Sequence, residues 1–318
     1  MRDYKAFFTQ YWEYLAIKTA AKEGIFDLIE DGVNTLDAII ELKGYNRKVL
    51  NDLLIAMENS GLLSISDGKI YLTEDGKLFT EHHPDSLKYA CIHWAEEHMI
   101  AWQNLDYTLK TGKPSFEKIF NKPLFEYLND TEERVINYHK AMYEYARDDY
   151  KDICNKIDFS DSKKIMDVGG GFGALLTIMQ KACKEKQYYL FDRPEVIKHI
   201  KEKDFVKIGG DFFVEIPNVA DTIIMSRVIH DWDDKKALSI LNNVYKALPQ
   251  NGILYIIENF SDKIEDKAAL LSLNMHVITQ SYERTENEYR DLLKKANFTP
   301  LKVIRINKLQ FAIKSIKK

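Results

Sequence analysis

Cysteine is scarce in this 318-residue chain: Cys91, Cys154 and Cys183 are its only three, and they are widely scattered. Such a set makes neither a disulfide framework nor a zinc ligand set, and it suits a reducing cytosol. Long apolar runs are absent as well. No stretch approaches the roughly 20 residues that span a bilayer. The opening "MRDYKAFFTQYWEYLA" is broken by charge where a signal peptide keeps an apolar segment. Positive charge is not in excess. With 45 Lys and Arg against 49 Asp and Glu, the net charge is −4, so no global pull toward nucleic acid or an anionic membrane is expected. Internal repeats and low-complexity segments are missing. The expectation is an ordinary soluble, cytoplasmic chain, long enough for about two domains.

What is present changes texture along the chain. "TLDAIIELKG" and "NRKVLNDLLIAMENSGLL" space their apolar residues as helices do. "LLSISDGKIYLTEDGKLF" then alternates around a Ser-Asp-Gly turn at 66–68, which predicts a hairpin and, with the helices, a winged-helix pattern over residues 1–83. Residues 84–157 read as helical and aromatic-rich, punctuated by "TGKPSF" and "FNKPLF". From residue 158 to 318, short apolar strands ("KKIMDVGG", "QYYLFD", "FVKIGG", "ADTIIMS", "GILYIIENF") alternate with helical stretches. That alternation predicts an α/β unit with a mostly parallel sheet. The tail, "PLKVIRINKLQFAIKSIKK", adds two β-rich segments joined near Asn307–Lys308, an antiparallel edge.

"MDVGGGFGALL" runs a strand into a glycine-rich turn and then a helix. It fits two templates. Gly169, Gly171 and Ala174 satisfy the dinucleotide fingerprint, with Asp192 near the place of its ribose-binding acid. Gly169, Gly171 and Gly173 after Asp167 equally fit a turn that holds S-adenosylmethionine. Context favours the second. A dinucleotide domain starting mid-chain would leave too few residues for a substrate domain. "GGDFF" sets Asp211 and Phe212, an acid beside an aromatic, at the next strand end, suiting an adenine amino group and ring. Nearby carboxylates repel a pyrophosphate but hold an ammonium. Ordinary turn chemistry would also account for Asp192 and Asp211.

"SRVIHDWDDKK" follows the strand "ADTIIM" and delivers His230 to a strand end, where open α/β sheets bind ligands. Imidazole there is a candidate general base: mostly neutral at pH 7 and able to take a phenolic proton. Glu258 emerges from the buried pattern "GILYII", where an unpaired carboxylate is costly. Asp231, Asp233 and Asp234 read first as helix-start residues, with a magnesium site as the weaker alternative, and Trp232 reads as packing.

The ordered set "DVGGGFG", "YYLFDRPEVI", "GGDFF", "VIHDWDD", "IIEN" and "YERTENEY" resembles the cation-independent, plant-caffeate-type small-molecule O-methyltransferases and their bacterial secondary-metabolite relatives. The resemblance covers nearly the whole chain. It implies a Rossmann-like methyltransferase sheet and an N-terminal winged-helix domain that dimerises and does not bind DNA. It also implies S-adenosylmethionine as cofactor, S-adenosylhomocysteine as product, and a small hydroxyl compound as acceptor. His230 matches the base, flanked by Glu258 and Glu283. Asp167, Gly169, Gly171, Asp192, Asp211 and Phe212 match the cofactor positions, while Trp102, Tyr138, Met142, Asp231 and Met275 are the acceptor-pocket candidates. No metal is implied. Plant members carry a lysine four residues before the base where this chain has Ser226, so the lysine contact does not carry over, and Ser226 and neighbouring Arg227 are the cofactor-binding candidates there. Three other readings compete: a ligand-sensing winged-helix regulator, whose recognition helix would carry Arg47 and Lys48 but also Asp52 and Glu58; a nicotinamide-dependent oxidoreductase; and a relative with altered acceptor chemistry, such as N- or C-methylation.

Overall fold

The computed structural model describes residues 3–201, 204–264 and 268–318. The chain divides into two compact units, Met1–Met99 and Ile100–Lys318. The helical, aromatic-rich segment expected over 84–157 is therefore shared between them.

In the first unit, helices Tyr11–Lys22, Ile25–Glu30, Leu36–Lys43 and Arg47–Asn59 precede an antiparallel hairpin of β1 (Leu63–Ser66) and β2 (Lys69–Leu72). Local chemistry sets the boundaries. Thr35 and Asn46 cap the N–H groups that open the third and fourth of these helices, and Gly44 ends the third in the left-handed region. The hairpin turns through Asp67 and Gly68, both at positive φ, as a two-residue loop requires. Ala20, Phe26, Ile39, Leu54, Met57 and Ile70 fill its core. This is the helix, turn, helix and hairpin order expected for residues 1–83.

In the second unit, one sheet holds β3 (Lys164–Val168), β4 (Gln187–Asp192), β5 (Val206–Gly209), β6 (Thr222–Ser226), β7 (Ile253–Asn259), β8 (Phe298–Arg305) and β9 (Gln310–Lys317). Their spatial order is β5-β4-β3-β6-β7-β9-β8. The first five pair in parallel; β9 joins β7 and β8 antiparallel, the edge expected from the tail. β7 is buried along its whole length because helices cover both faces of a parallel sheet, which is why "ILYIIEN" shows no alternation. The chain winds outward from β3 to β5, then returns to start β6 on the other side of β3. The C-terminal ends of β3 and β6 thus flank the topological switch point, where such sheets open a crevice.

One expectation is corrected here. Cys154 and Cys183 are joined by a disulfide with their Cα atoms 6.6 Å apart. The strand–helix unit between them folds back on itself. It brings Cys183, just past the helix Ala174–Ala182, against the short helix Ile153–Lys156 that precedes β3. Spacing in sequence carries no sign of that approach.

Candidate active site

Five strand ends supply the site. After β3 the chain turns through Gly169, Gly171 and Gly173, all at positive φ. Side chains would not fit here: a Cβ on Gly169 would stand 2.7 Å from Val228 Cγ2, and one on Gly173 2.5 Å from the Phe205 ring. The first of these contacts sets the glycine turn against the loop that follows β6. At the end of β4, Asp192 accepts hydrogen bonds from the Gly171 N–H at 2.8 Å and the Arg193 N–H at 2.7 Å. Asp167, the penultimate residue of β3, is buried. Burial and the neighbouring Asp192 push its carboxyl up to about 8. Burial raises Asp192 as well, against the pull of its two N–H donors. A glycine cradle edged by two acids fits a ligand with hydroxyl and ammonium groups and disfavours a pyrophosphate. That is the chemistry of S-adenosylmethionine.

Past β5, Asp211 is exposed, and its carboxylate accepts the Phe213 N–H at 2.8 Å in its own turn. Phe212 is half-buried, 6.1 Å from the Trp232 ring. Trp232 stacks on Phe125 with centroids 5.5 Å apart, so it packs as expected.

Past β6, Arg227 adopts φ +54, and a 3-10 turn over Ile229–Asp231 presents His230. Its Nδ1 lies 3.1 and 3.3 Å from the two Glu283 carboxylate oxygens. Glu283 in turn accepts the Asn259 side-chain amide at 2.8 Å. Glu258, at the end of β7, takes a different part from the ring partner expected. Its Oε1 accepts the backbone N–H groups of Val228 (3.0 Å), Ile229 (2.8 Å) and His230 (3.4 Å), and its Oε2 stays 3.7 Å from the ring. It caps the turn that carries the histidine. The Asp231 carboxylate lies 3.8 Å from His230 Nε2, on the opposite side of the ring from Glu283.

Burial opposes a charge on His230, but Glu258, Glu283 and Asp231 outweigh it and push the imidazole up to about 10. Burial would raise Glu283 too, but His230 and Asn259 more than reverse this and hold it below the usual carboxylate range. Glu258 is pushed up by burial to about 7, and Asp231 to about 6. The imidazole, expected from the sequence to be mostly neutral at pH 7, is thus favoured in its protonated form by the three carboxylates around it, with Nδ1 toward Glu283 and Nε2 toward Asp231.

The remaining candidates lie around this core. Ser226 shares a short hydrogen bond with the Tyr150 hydroxyl. The Arg227 guanidinium lies 3.8 Å from Asp149 and 3.9 Å from the Met142 sulfur. Tyr138 packs edge-on to Phe125 at 6.2 Å. Trp102 donates its indole N–H to Asn274 at 2.8 Å, and the buried Met275 follows on the same helix, Ala268–Ile278. Ser272 of that helix accepts the Glu283 N–H at 3.3 Å, which ties it to the histidine. Of the aspartates, Asp233 caps the helix Asp234–Ala247 through the Lys236 N–H at 2.8 Å, as expected. Among the described residues, no group of three or more His, Cys, Asp or Glu is placed to hold a metal ion.

Sequence reasoning missed Arg284. Fully buried, it donates to the carbonyls of Ile229 (3.2 Å) and Trp232 (2.7 Å) and pairs with Asp234 at 2.8 Å, clamping the loop from behind. Its position beside Glu283 in "YERTE" was the available signal. Asn259, beside Glu258 in "IIEN", was missed in the same way.

A model of the O-methyltransferase domain matches residues 102–299. Among curated proteins, the chain is 30% identical to a phenazine O-methyltransferase of Lysobacter antibioticus over 307 residues, covering 93% of this chain and 90% of that one. It is 31% identical to a 3-amino-4-hydroxybenzoate 4-O-methyltransferase of Streptomyces cremeus over 301 residues, covering 91% and 82%. The crystal structure of LaPhzM superposes with a TM-score of 0.91 at 28% identity, covering 98% of both chains. Human N-acetylserotonin methyltransferase, solved with S-adenosylmethionine, shares the fold at a TM-score of 0.87 and 24% identity, covering 98% and 96%.

Proposed function

The chain belongs to the O-methyltransferase domain family, and on that premise we propose that it methylates a hydroxyl of a small aromatic acceptor, with His230 as general base. S-adenosylmethionine, the methyl donor of this family, supplies when bound an activated methyl on a sulfonium, and S-adenosylhomocysteine is the product. The protein's own contribution is orientation and proton removal. The observation that carries the assignment is the His230–Glu283 pair beside the glycine turn, at the switch point of the sheet.

Asp167, Gly169, Gly171 and Asp192 are the cradle for the cofactor, joined by Asp211 and Phe212 for its adenine. Ser226 spends its hydroxyl on Tyr150, so the contact made by a lysine in plant members passes to Arg227. The Arg227 guanidinium has no oxygen acceptor within hydrogen-bonding distance among the described residues, which leaves its donors for a carboxylate. Trp102, Tyr138, Met142, Asp231 and Met275 are the acceptor side. The aromatic acceptors named for the phenazine and aminohydroxybenzoate relatives fit such a wall. Replacing His230 by Ala should leave S-adenosylhomocysteine affinity within about twofold while methyl transfer falls about 10²-fold or more. A labelled-methyl assay across a phenol and polyketide panel, read by mass spectrometry, identifies the acceptor. Unchanged turnover in H230A removes His230 from the reaction.

We infer a cytoplasmic homodimer formed through residues 1–83, with residues 84–157 contributing the acceptor wall and 158–318 the cofactor site. Among the described residues, no helix is long and apolar enough to cross a membrane. In the first unit, Tyr4, Phe8, Tyr11 and Trp12 are 58%, 65%, 51% and 62% exposed along the helices Tyr4–Thr9 and Tyr11–Lys22, an aromatic face that a second copy would cover. DNA is a poor partner for the same unit: Arg47, at the head of its would-be recognition helix, is paired with Asp37. A Y11S/W12S variant should sediment as a monomer where the parent sediments as a dimer. A parent that is monomeric at micromolar concentration refutes the assembly.

A further inference from the structure

His139 lies on the helix Glu132–Asp149, outside every role assigned above. It is 7% exposed, and its Nε2 is fully buried with no hydrogen-bond partner among the described residues. An imidazole left in that state forfeits the hydrogen bond it had in water. The other ring nitrogen, Nδ1, is the one that faces the glycine turn. A Cβ on Gly171 would stand 3.1 Å from His139 Nδ1, so the ring edge lies directly over that glycine. The ring also packs against Phe172 of the same turn, with centroids 5.2 Å apart. Gly171 is committed on its other side, since its N–H goes to Asp192.

We propose that His139 is a cofactor-positioning residue: it roofs the glycine turn and donates its Nδ1–H, the ring nitrogen over Gly171, to an oxygen of bound S-adenosylmethionine or S-adenosylhomocysteine. The proposal rests on the reading that the glycine turn is the cofactor cradle. Neutral imidazole suits the task. Burial, aided by Arg193 and His199, holds His139 down at about 3, so it brings no positive charge toward a sulfonium. A lysine or arginine at this position would donate as well but would repel the cofactor's own cation.

The test uses S-adenosylhomocysteine alone, with isothermal titration on the full chain. H139F keeps the aromatic packing on Phe172 and removes both nitrogens, and it should weaken binding about tenfold. H139N restores a donor near the Nδ1 position and should recover most of that loss. The acceptor KM at saturating cofactor should stay unchanged in both. H139M serves as the second apolar variant, in case H139F lowers the unliganded melting temperature. S-adenosylhomocysteine affinity within twofold of the parent in the folded apolar variant overturns the role of His139. D192N is run alongside to separate the two readings. Weaker binding in D192N with unchanged H139F rejects His139 only; no change in either rejects the cradle itself.

Discussion

At the scale of single residues, His230 was legible as a candidate because it stands at a strand end, whereas Glu283 entered only through the resemblance carried by "YERTENEY". Glu258 was legible as a site residue, but its part was not. Whether a carboxylate meets a ring or three backbone N–H groups depends on how β7 and the loop after β6 register. The distinction has a measurable consequence. Glu283 is hydrogen-bonded to the imidazole and, with Glu258, helps hold it at about 10, so the neutral ring that the proposed base role requires forms only as pH rises. Substituting Glu283 by Gln removes that charge, lowers the His230 pKa, and should move the rising limb of the kcat/KM profile toward acid while lowering its plateau. A limb that stays in place argues against Glu283 as the residue that tunes the base. The same shift is a stability term. His230 is raised in the folded state above the unfolded value of about 6.5. Its contribution is therefore whole below that pH and is lost as pH climbs toward 10. The H230N variant should lose less stability than the parent between those limits.

At the scale of elements, strands and caps were readable and the clamp behind them was not. β3 to β7 appear in sequence as short apolar runs, and the helix after "HDWDD" announces itself by its capping aspartate. Arg284 carries no such local signal. Its value lies in carbonyls 52 to 55 residues away that only the fold brings near. The two kinds of contact separate experimentally. D233A removes one helix cap, worth about 1 kcal/mol, and should lower the melting temperature slightly with turnover unchanged. R284M strips two buried carbonyls of their donor at about 1–3 kcal/mol each. It should cost several degrees and also depress kcat, since Ile229 and Trp232 flank His230 in the same loop. Equal melting losses in the two variants, with kcat intact in both, would show that Arg284 does not hold the loop.

At the scale of the whole molecule, the order of elements was enough to anticipate a mostly parallel sheet with an antiparallel edge and a helical first unit, while the switch point beside β3 came from the strand order. What escaped was a contact made by tertiary folding alone. Cys154 and Cys183 are 29 residues apart, separated by β3, the glycine turn and a helix, and the disulfide staples that β–α unit closed. Closing a loop of that length restricts the unfolded chain, which corresponds to roughly 3–4 kcal/mol of stabilisation in the chain-entropy account. The oxidised protein should therefore melt several degrees above the reduced one. Thiol titration after denaturation should find one reactive thiol, Cys91, before reduction and three after it. A C154A/C183A variant should melt at the same temperature with and without dithiothreitol. In a reducing cytosol the bond would open, so the same titration on protein purified under thiol-blocking conditions reports which state the cell maintains. Three reactive thiols in the untreated protein, with a melting temperature indifferent to reductant, would leave the β–α unit held by its core alone: Leu175, Met179, Tyr188 and Leu190 against Ile153 and Ile157.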